Sequence, residues 1–309
     1  MSSSPAPGLQ SGDSPRGFAY ALGAYFLWGF LPLFMKAISH IPAPEIIAHR
    51  IIWSIPVAGA VLIATGRTAD LKAALKSPRT LAMAALTASI ITINWGIYVW
   101  SIAAGRALES ALGYYINPLF SVFLGSVLLR EKLTPSQWVA IGLAVCAVAI
   151  LTVEAGGLPW VSLGLAISWG FYAFFRKTLP VGPNQGFLLE VLLLSVPALA
   201  YIAYIETNGQ GHFGDTGTAD VFWLLACGLV TAVPLILYAN GAKLLRLTTI
   251  GIMQYIAPTM IFLTAVFIFK EPFGPSKLVA FAFIWAALVV FTWPMLRSLI
   301  AARRMLKQA

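Results

Sequence analysis

Charge is what this sequence lacks most. Asp, Glu, Lys and Arg make up only 10% of its 309 residues, against 59% that are apolar, whereas a soluble domain carries about 25% charged residues. So few charges cannot solvate a globule of this length, and lipid has to be the outer solvent. A mean hydropathy of +0.84 agrees. Cysteine and histidine are scarce too. Cys146 and Cys227 each fall inside an apolar segment with no second Cys or His nearby. That argues against a disulfide framework or a thiolate zinc site and leaves two thiols packed as small hydrophobes. His40, His49 and His212 are scattered, so no His-Glu-x-x-His metalloprotease cluster exists. Every Asp (Asp13, Asp70, Asp215, Asp220) lies in a tail, in a loop or at the very end of an apolar run, which speaks against an intramembrane aspartyl protease. No Gly-x-Ser-x-Gly elbow and no Walker loop is present. The reading is therefore neither an enzyme nor an ATP-driven pump, with no cofactor and no metal.

What is present is a series of long apolar runs. A spanning helix needs ~20 mostly apolar residues, and breaks at Pro, Gly and polar residues define ten spans. They cover 17–38, 45–64, 80–103, 108–129, 136–153, 159–176, 184–205, 219–240, 248–269 and 276–297. Residues 1–16, rich in Ser, Pro and Gly, read as a disordered tail. They lead into a first helix rather than a removed signal peptide. Residues 298–309 read as a second, basic tail. The net charge of +9 is spread over helix ends and loops rather than one face, which points to topology and not to nucleic acid. With the N-terminus cytoplasmic, the inside loops and tails hold fifteen basic residues, among them Arg67, Arg130, Lys177 and Arg246. Outside remain only Lys36, Arg106, Lys270 and Lys277. Basic residues resist translocation, so both termini are expected inside.

The chain also repeats itself. Leu22-Gly23, Trp28-Gly29-Phe30, Phe34 and Lys36 recur 141 positions later as Leu163-Gly164, Trp169-Gly170-Phe171, Phe175 and Lys177. At a shift of 140, Tyr98, Arg106, Tyr115-Ile116, Pro118, Glu131 and Pro135-Ser136 meet their counterparts. Those are Tyr238, Arg246, Tyr255-Ile256, Pro258, Glu271 and Pro275-Ser276. The rarer Trp and Lys keep the first register and Pro and Glu the second, with a single-residue step between the two. The copies, 17–153 and 159–297, begin at the first and sixth spans, so they enter the membrane from opposite sides. The expected fold is an all-α integral membrane protein of ten transmembrane helices, arranged as two inverted five-helix repeats, a common plan for transporters. A duplication that only builds a stable bundle is the plainer alternative.

Charges inside spans need a partner, a cavity or a route to the headgroups. Arg50 lies about 7.5 Å into the second span at 1.5 Å per residue, and Glu109 lies near the outer end of the fourth, on the same side of the midplane. An Arg50 pair with Glu109 or Glu45 is expected, as an outer gate, a substrate anchor or a structural clamp. Glu190 lies about 9 Å from the inner end of the seventh span, too far away to pair with Arg50. It is the first candidate for a protonatable coupling residue, with Glu109 the second. A carboxylate simply held by Arg176 or Lys177 is its bland reading. Asn94, Tyr115, Asn117, Gln254 and Tyr255 sit near mid-span, and Pro118 and Pro258 follow in two of those helices. Proline frees a backbone carbonyl, which suits the wall of a cavity. Trp28 and Trp169 add stacking surfaces, although tryptophans also serve as interface anchors. An Arg-bearing aromatic pocket suits an anionic, zwitterionic or aromatic amphiphile. Small-residue helix faces serve intrachain packing as readily as a homodimer.

These residues resemble a known family. Asn94-Trp95, the run Leu112-Gly113-Tyr114-Tyr115-Ile116-Asn117-Pro118-Leu119 and Arg130-Glu131-Lys132-Leu133 are similar to the drug/metabolite transporter superfamily, EamA type. His49-Arg50-Ile51-Ile52-Trp53-Ser54, Ser168-Trp169-Gly170-Phe171-Tyr172 and Gly251 to Pro258 narrow the likeness to its RarD, or chloramphenicol-sensitivity, branch. The resemblance covers about residues 15–300. It implies ten helices in inverted repeats, a bacterial inner-membrane location and transport of a small metabolite or drug. Within that implication, alternating access coupled to protons or to exchange is the expected mechanism. A selective channel would share the same polar path.

Overall fold

The computed structural model describes residues 14–308 apart from 67, 131, 215, 216 and 246. Most of the tail expected over 1–16 therefore lies outside the described residues, as do Arg67, Glu131, Asp215 and Arg246. Helices account for nearly all of the rest, and no strand occurs among the described residues. In order they are α1 (Pro15–Ala37), α2 (Ala43–Ala64), α3 (Thr68–Leu75), α4 (Pro78–Ala103) and α5 (Ala107–Leu129). There follow α6 (Pro135–Ala155), α7 (Trp160–Thr178), α8 (Pro183–Thr207) and α9 (Thr218–Ala242). The chain ends with α10 (Leu247–Met253), α11 (Ile256–Leu263), a π-helical turn Thr264–Ile268 and α12 (Pro275–Gln308).

The starts of these helices are legible in local chemistry. Proline opens or nearly opens α1, α2, α4, α6 and α8, where its missing N–H is harmless and its fixed φ favours the helix. Ser77 accepts from the Thr80 amide at the head of α4. Thr134 and Gln137 form a reciprocal capping box on α6, and Gly156 closes that helix at φ 64°. The head of α5 is capped from a distance. Glu271 accepts from the amides of Ala107 (2.7 Å) and Leu108 (2.9 Å), a carboxylate on the positive end of a helix dipole. Burial raises the Glu271 carboxyl above its ordinary range, while the two amides and Lys277 pull it back. With the folded value raised, stability from this group is full at low pH and declines as pH rises through that raised value. Glu271→Ala should cost about 1–2 kcal/mol, the usual loss for a helix cap, seen as a lower melting temperature in detergent. An unchanged melting temperature would contradict the cap.

Nine helices among the described residues are long and apolar enough to cross a membrane, which makes this a multi-pass membrane protein. The sixth expected span is present as α7, 19 residues long, but Trp160 to Thr178 falls outside those nine. Its basic end, Arg176-Lys177, and its Ser, Gly and Tyr content lower its hydropathy. Three other features differ from expectation. The loop at 65–79 contains the short helix α3. The ninth span is broken at Gln254-Tyr255, where Pro258 cannot donate to the Gln254 carbonyl one turn back, and it ends in a π turn at Thr264–Ile268. α12 runs on through Gln308, since no Pro or Gly follows Pro294 to stop it.

Several element boundaries keep the 140-residue period. α2 and α8 start at 43 and 183, α4 and α9 at 78 and 218, α5 and α10 at 107 and 247, α6 and α12 at 135 and 275. Among the described residues the two non-glycine positions at positive φ, Arg130 (55°) and Lys270 (57°), are themselves 140 apart. Helix contacts follow the same rule. α1 packs on α9 and α11 as α7 packs on α4 and α5, while α2 packs on α9 as α8 packs on α4. The helices thus interlock across the repeat. Close approach is provided by glycine, as in other membrane bundles. A Cβ on Gly29 would meet Met260 and one on Gly170 would meet Phe120; one on Gly23 would meet Leu237 and one on Gly164 would meet Ile97. In each set the neighbours are repeat equivalents.

Candidate functional site

Helical spacing gathers polar and aromatic residues onto inward faces. On α4, Ile91, Asn94, Trp95 and Tyr98 follow the i, i+3, i+4, i+7 pattern that shares one face; on α9, Thr231, Leu235 and Tyr238 occupy the equivalent positions. With Tyr25, Trp28 and Leu31 of α1, Arg50 of α2, Tyr114 and Asn117 of α5, and Trp169 and Tyr172 of α7, they enclose a cavity of about 140 Å³. Gln254 and the start of α11 complete the wall. Its walls pair up by the repeat: Trp28 with Trp169, Tyr98 with Tyr238, Tyr114 with Gln254, Asn117 with Ala257.

Arg50 is buried in this wall. Its Nε donates to Thr231 Oγ1 at 3.0 Å, and that hydroxyl donates to the Cys227 carbonyl at 2.7 Å. The guanidinium lies 4.8 Å from the centre of the Trp95 ring, a cation–π contact. Its Nη1 has no hydrogen-bond partner. The expected ion pair with Glu109 or Glu45 is not formed. Glu109 is held bidentately by Arg106, at 2.6 and 2.8 Å, three residues back on the same turn. Glu45 accepts from the backbone N–H of His212 (2.7 Å) and pairs with its Nδ1 (2.8 Å). A local partner and a loop reached these carboxylates before Arg50 could. Neither acid lines the cavity, so Glu109 stands apart from the other candidate residues.

Asn94 donates to the Leu165 carbonyl (3.1 Å) and to Ser168 Oγ (2.9 Å), fastening α4 to α7. Asn117 Oδ1 and the Tyr98 hydroxyl are buried without a partner. Gln254 donates to the Gly251 carbonyl at 3.0 Å, which the helix break leaves free. Tyr115 and Tyr255 lie elsewhere. Tyr115 bonds Thr259 at 2.8 Å and meets Phe281 edge-on, and Tyr255 packs into the same apolar seam. Successive residues on a helix differ by about 100°, so it is Tyr114, one position earlier, that faces the cavity. Trp95 and Tyr172 stood in the sequence only as members of the family motifs and Thr231 carried no signal, whereas the repeat register already marked Tyr98 and Tyr238.

Glu190 is buried beside the cavity rather than in its wall. Thr87 donates to it at 2.7 Å, Tyr172 at 3.2 Å, and Arg176 Nη1 lies 3.5 Å away. Tyr172 links it to the site, because Tyr172, Trp169, Leu235 and Tyr238 also bound a second cavity of about 410 Å³. That space runs toward Arg176, Asn184 and Lys243, at the basic ends of the helices. Phe213 stacks on His49 (5.0 Å) and Trp53 (5.7 Å), beside the Glu45–His212 latch.

A buried, polar, aromatic cavity among membrane-spanning helices defines a membrane protein that handles a small molecule. Comparison with known proteins then identifies the family. Residues 15–153 and 157–293 each match the EamA-like transporter family. The RarD protein of Streptomyces exfoliatus is 40% identical over 297 residues, covering 96% of this chain and 94% of that one. The Escherichia coli (strain K12) RarD protein is 39% identical over 283 residues, 92% of this chain and 96% of its own. A chloramphenicol-sensitive protein RarD of Pseudomonas aeruginosa is 32% identical over 292 residues, covering 93% and 96%. A solved crystal structure shares the fold at 20% identity, with a TM-score of 0.59 over 91% of this chain and 98% of that one. The chain belongs to the EamA-like transporter family, in its RarD branch, and is a membrane transporter of that type.

Proposed function

We propose that the protein is a secondary carrier that moves a small metabolite or drug across the bacterial inner membrane by alternating access. The single observation that carries this reading is a cavity walled by repeat-equivalent residues from both halves. Two five-helix halves, with α7 counted as the sixth of ten spans and both termini cytoplasmic, would be related by a two-fold axis in the membrane plane. Inverted halves of this kind can exchange their packing, so that one sequence pattern builds both gates. The substrate-binding residues are then Arg50, Asn94, Asn117, Gln254, Trp28 and Trp169, joined by Tyr98, Tyr114 and Tyr238. A drug cargo is consistent with the chloramphenicol-sensitive name of one relative.

In this reading the present conformation is closed outside by Phe213 and the Glu45–His212 latch, and faces inward through the second cavity. Glu190 couples the cycle to protons. Its charged form holds Arg176 and Tyr172; a proton on the carboxylate would weaken the Arg176 contact and free Tyr172, which stands in the wall of both cavities. Glu190→Gln keeps the shape and fixes the neutral state. In liposomes it should abolish accumulation driven by a pH gradient while leaving exchange across the membrane intact. Full gradient-driven accumulation by the variant would remove Glu190 from the coupling role.

A further inference from the structure

We propose that the cargo of the central cavity is a monoanion: an aromatic body of about one ring that carries a carboxylate, which neutralises Arg50. The proposal rests on the carrier reading for one point only, that this cavity is where cargo binds. Its main support is a charge left unbalanced. Among the described residues, Arg50 is the single charged residue in the wall. It is 3% exposed, its Nε is engaged only by a neutral hydroxyl, and its Nη1 is unpartnered. The acids within reach by depth are occupied: Glu45 by His212, Glu109 by Arg106.

A guanidinium cannot shed its proton as a buried Lys or His would. Burial of such a cation is unfavourable until an anion or further acceptors meet it. The planar fork matches a carboxylate, which accepts two parallel N–H bonds. One face of that plane is already fixed by Trp95, so the edge bearing Nη1 is pre-oriented. Two more polar atoms are unpaired in the same wall, the Tyr98 hydroxyl and Asn117 Oδ1. The hydroxyl can donate to a carboxylate oxygen, whereas Asn117 Oδ1 accepts and suits a donor elsewhere on the cargo. A cargo ammonium would find ring faces but no carboxylate, with Arg50 repelling it across the same small space.

The rest of the wall describes the body of the cargo. Tyr25, Trp28 and Tyr238 form one aromatic cluster, with centroids 5.5 to 6.0 Å apart, and Trp169 lies against Tyr172 at 5.8 Å. These rings present flat apolar surfaces. The cavity of about 140 Å³ is comparable with the roughly 150 Å³ void that accepts a benzene molecule. One ring with a short acidic arm fits that size and that chemistry.

The test uses three molecules of nearly one shape: phenylacetate, phenylacetamide and phenethylamine, negative, neutral and positive. The full-length protein in detergent is titrated with each, and binding is read by tryptophan quenching and by melting temperature. Phenylacetate should bind about tenfold more tightly than the amide, the difference a charge-assisted bond makes, and the amine more weakly than either. Arg50→Met should erase the advantage of the acid over the amide. Asn117→Asp, which leaves Arg50 in place, should weaken phenylacetate and favour phenethylamine. Equal or tighter binding of the amide or amine by the wild type, or binding of none of the three, would overturn the proposal. Counterflow in liposomes separates the two readings. Exchange of phenethylamine without phenylacetate keeps the carrier and sinks the anion site. Phenylacetate binding without any exchange keeps the anion site and sinks the carrier.

Discussion

Arg50→Ala should reduce phenylacetate exchange by about 10–100-fold, since a hydrogen bond to a charged group is worth about 1.5–3 kcal/mol and 1.4 kcal/mol is a factor of ten. The protein should still fold and insert. Breaking a buried ion pair usually destabilises because one charge is left alone, but Arg50 has no carboxylate partner among the described residues to abandon. Thr231 keeps its bond to the Cys227 carbonyl without it. Removing an uncompensated cation should therefore leave the melting temperature in place or raise it. Arg50→Lys should fall between the two proteins, because lysine keeps the charge but loses the planar fork and the stack on Trp95. Wild-type exchange by Arg50→Ala would reduce Arg50 to a packing residue.

Gly228→Val should produce the largest loss of stability. Gly228 lies on α9 where that helix crosses α2, and a Cβ there would fall on the backbone carbonyl of Trp53. Backbone cannot rotate out of the way as the tip of a side chain can. Relief requires α2 and α9 to separate, which also pulls Arg50 from Thr231 and Ser54 from the Gly228 carbonyl. Overpacking of this kind costs about 3 kcal/mol or more, read as a large drop in melting temperature and loss of monodisperse protein. Gly142→Ala is the control, because its Cβ would meet nothing within 4 Å and a helical Gly-to-Ala change gains up to about 1 kcal/mol. Similar stability of Gly228→Val and wild type would mean that the α2–α9 crossing does not hold the halves together.

Hydropathy and breakers made the helices legible, because lipid leaves the chain little choice but long apolar segments. The repeat located Trp28, Trp169, Tyr98 and Tyr238 for the same reason that it aligned helix starts: each copy presents the same face to the interior. What the sequence did not show was rotation about the helix axis and choice of partner. Tyr-Ile-x-Pro recurs at Tyr115 and Tyr255, yet both rings face the α5–α11–α12 seam and Tyr114 faces the cavity. Depth alone offered Arg50 two carboxylates, but Arg106 sits one turn from Glu109, and the loop bearing His212 folds back onto Glu45. Neither choice follows from position along the membrane normal. The break at Gln254 is a third case, since a proline may kink a helix or end it, and only packing decides which.

The most direct test of alternating access needs no cargo. In a protein with Cys146→Ala and Cys227→Ala, Ala257→Cys puts one small thiol in the cavity wall, and a membrane-impermeant maleimide is applied to one face of the membrane at a time. Alternating access predicts labelling chiefly from the cytoplasmic face. Adding Glu45→Ala, which opens the outer latch at His212, should raise the outer rate and lower the inner rate together. If the outer rate rises while the inner rate holds or also rises, the cavity is part of a continuous pore, and the protein is not a carrier.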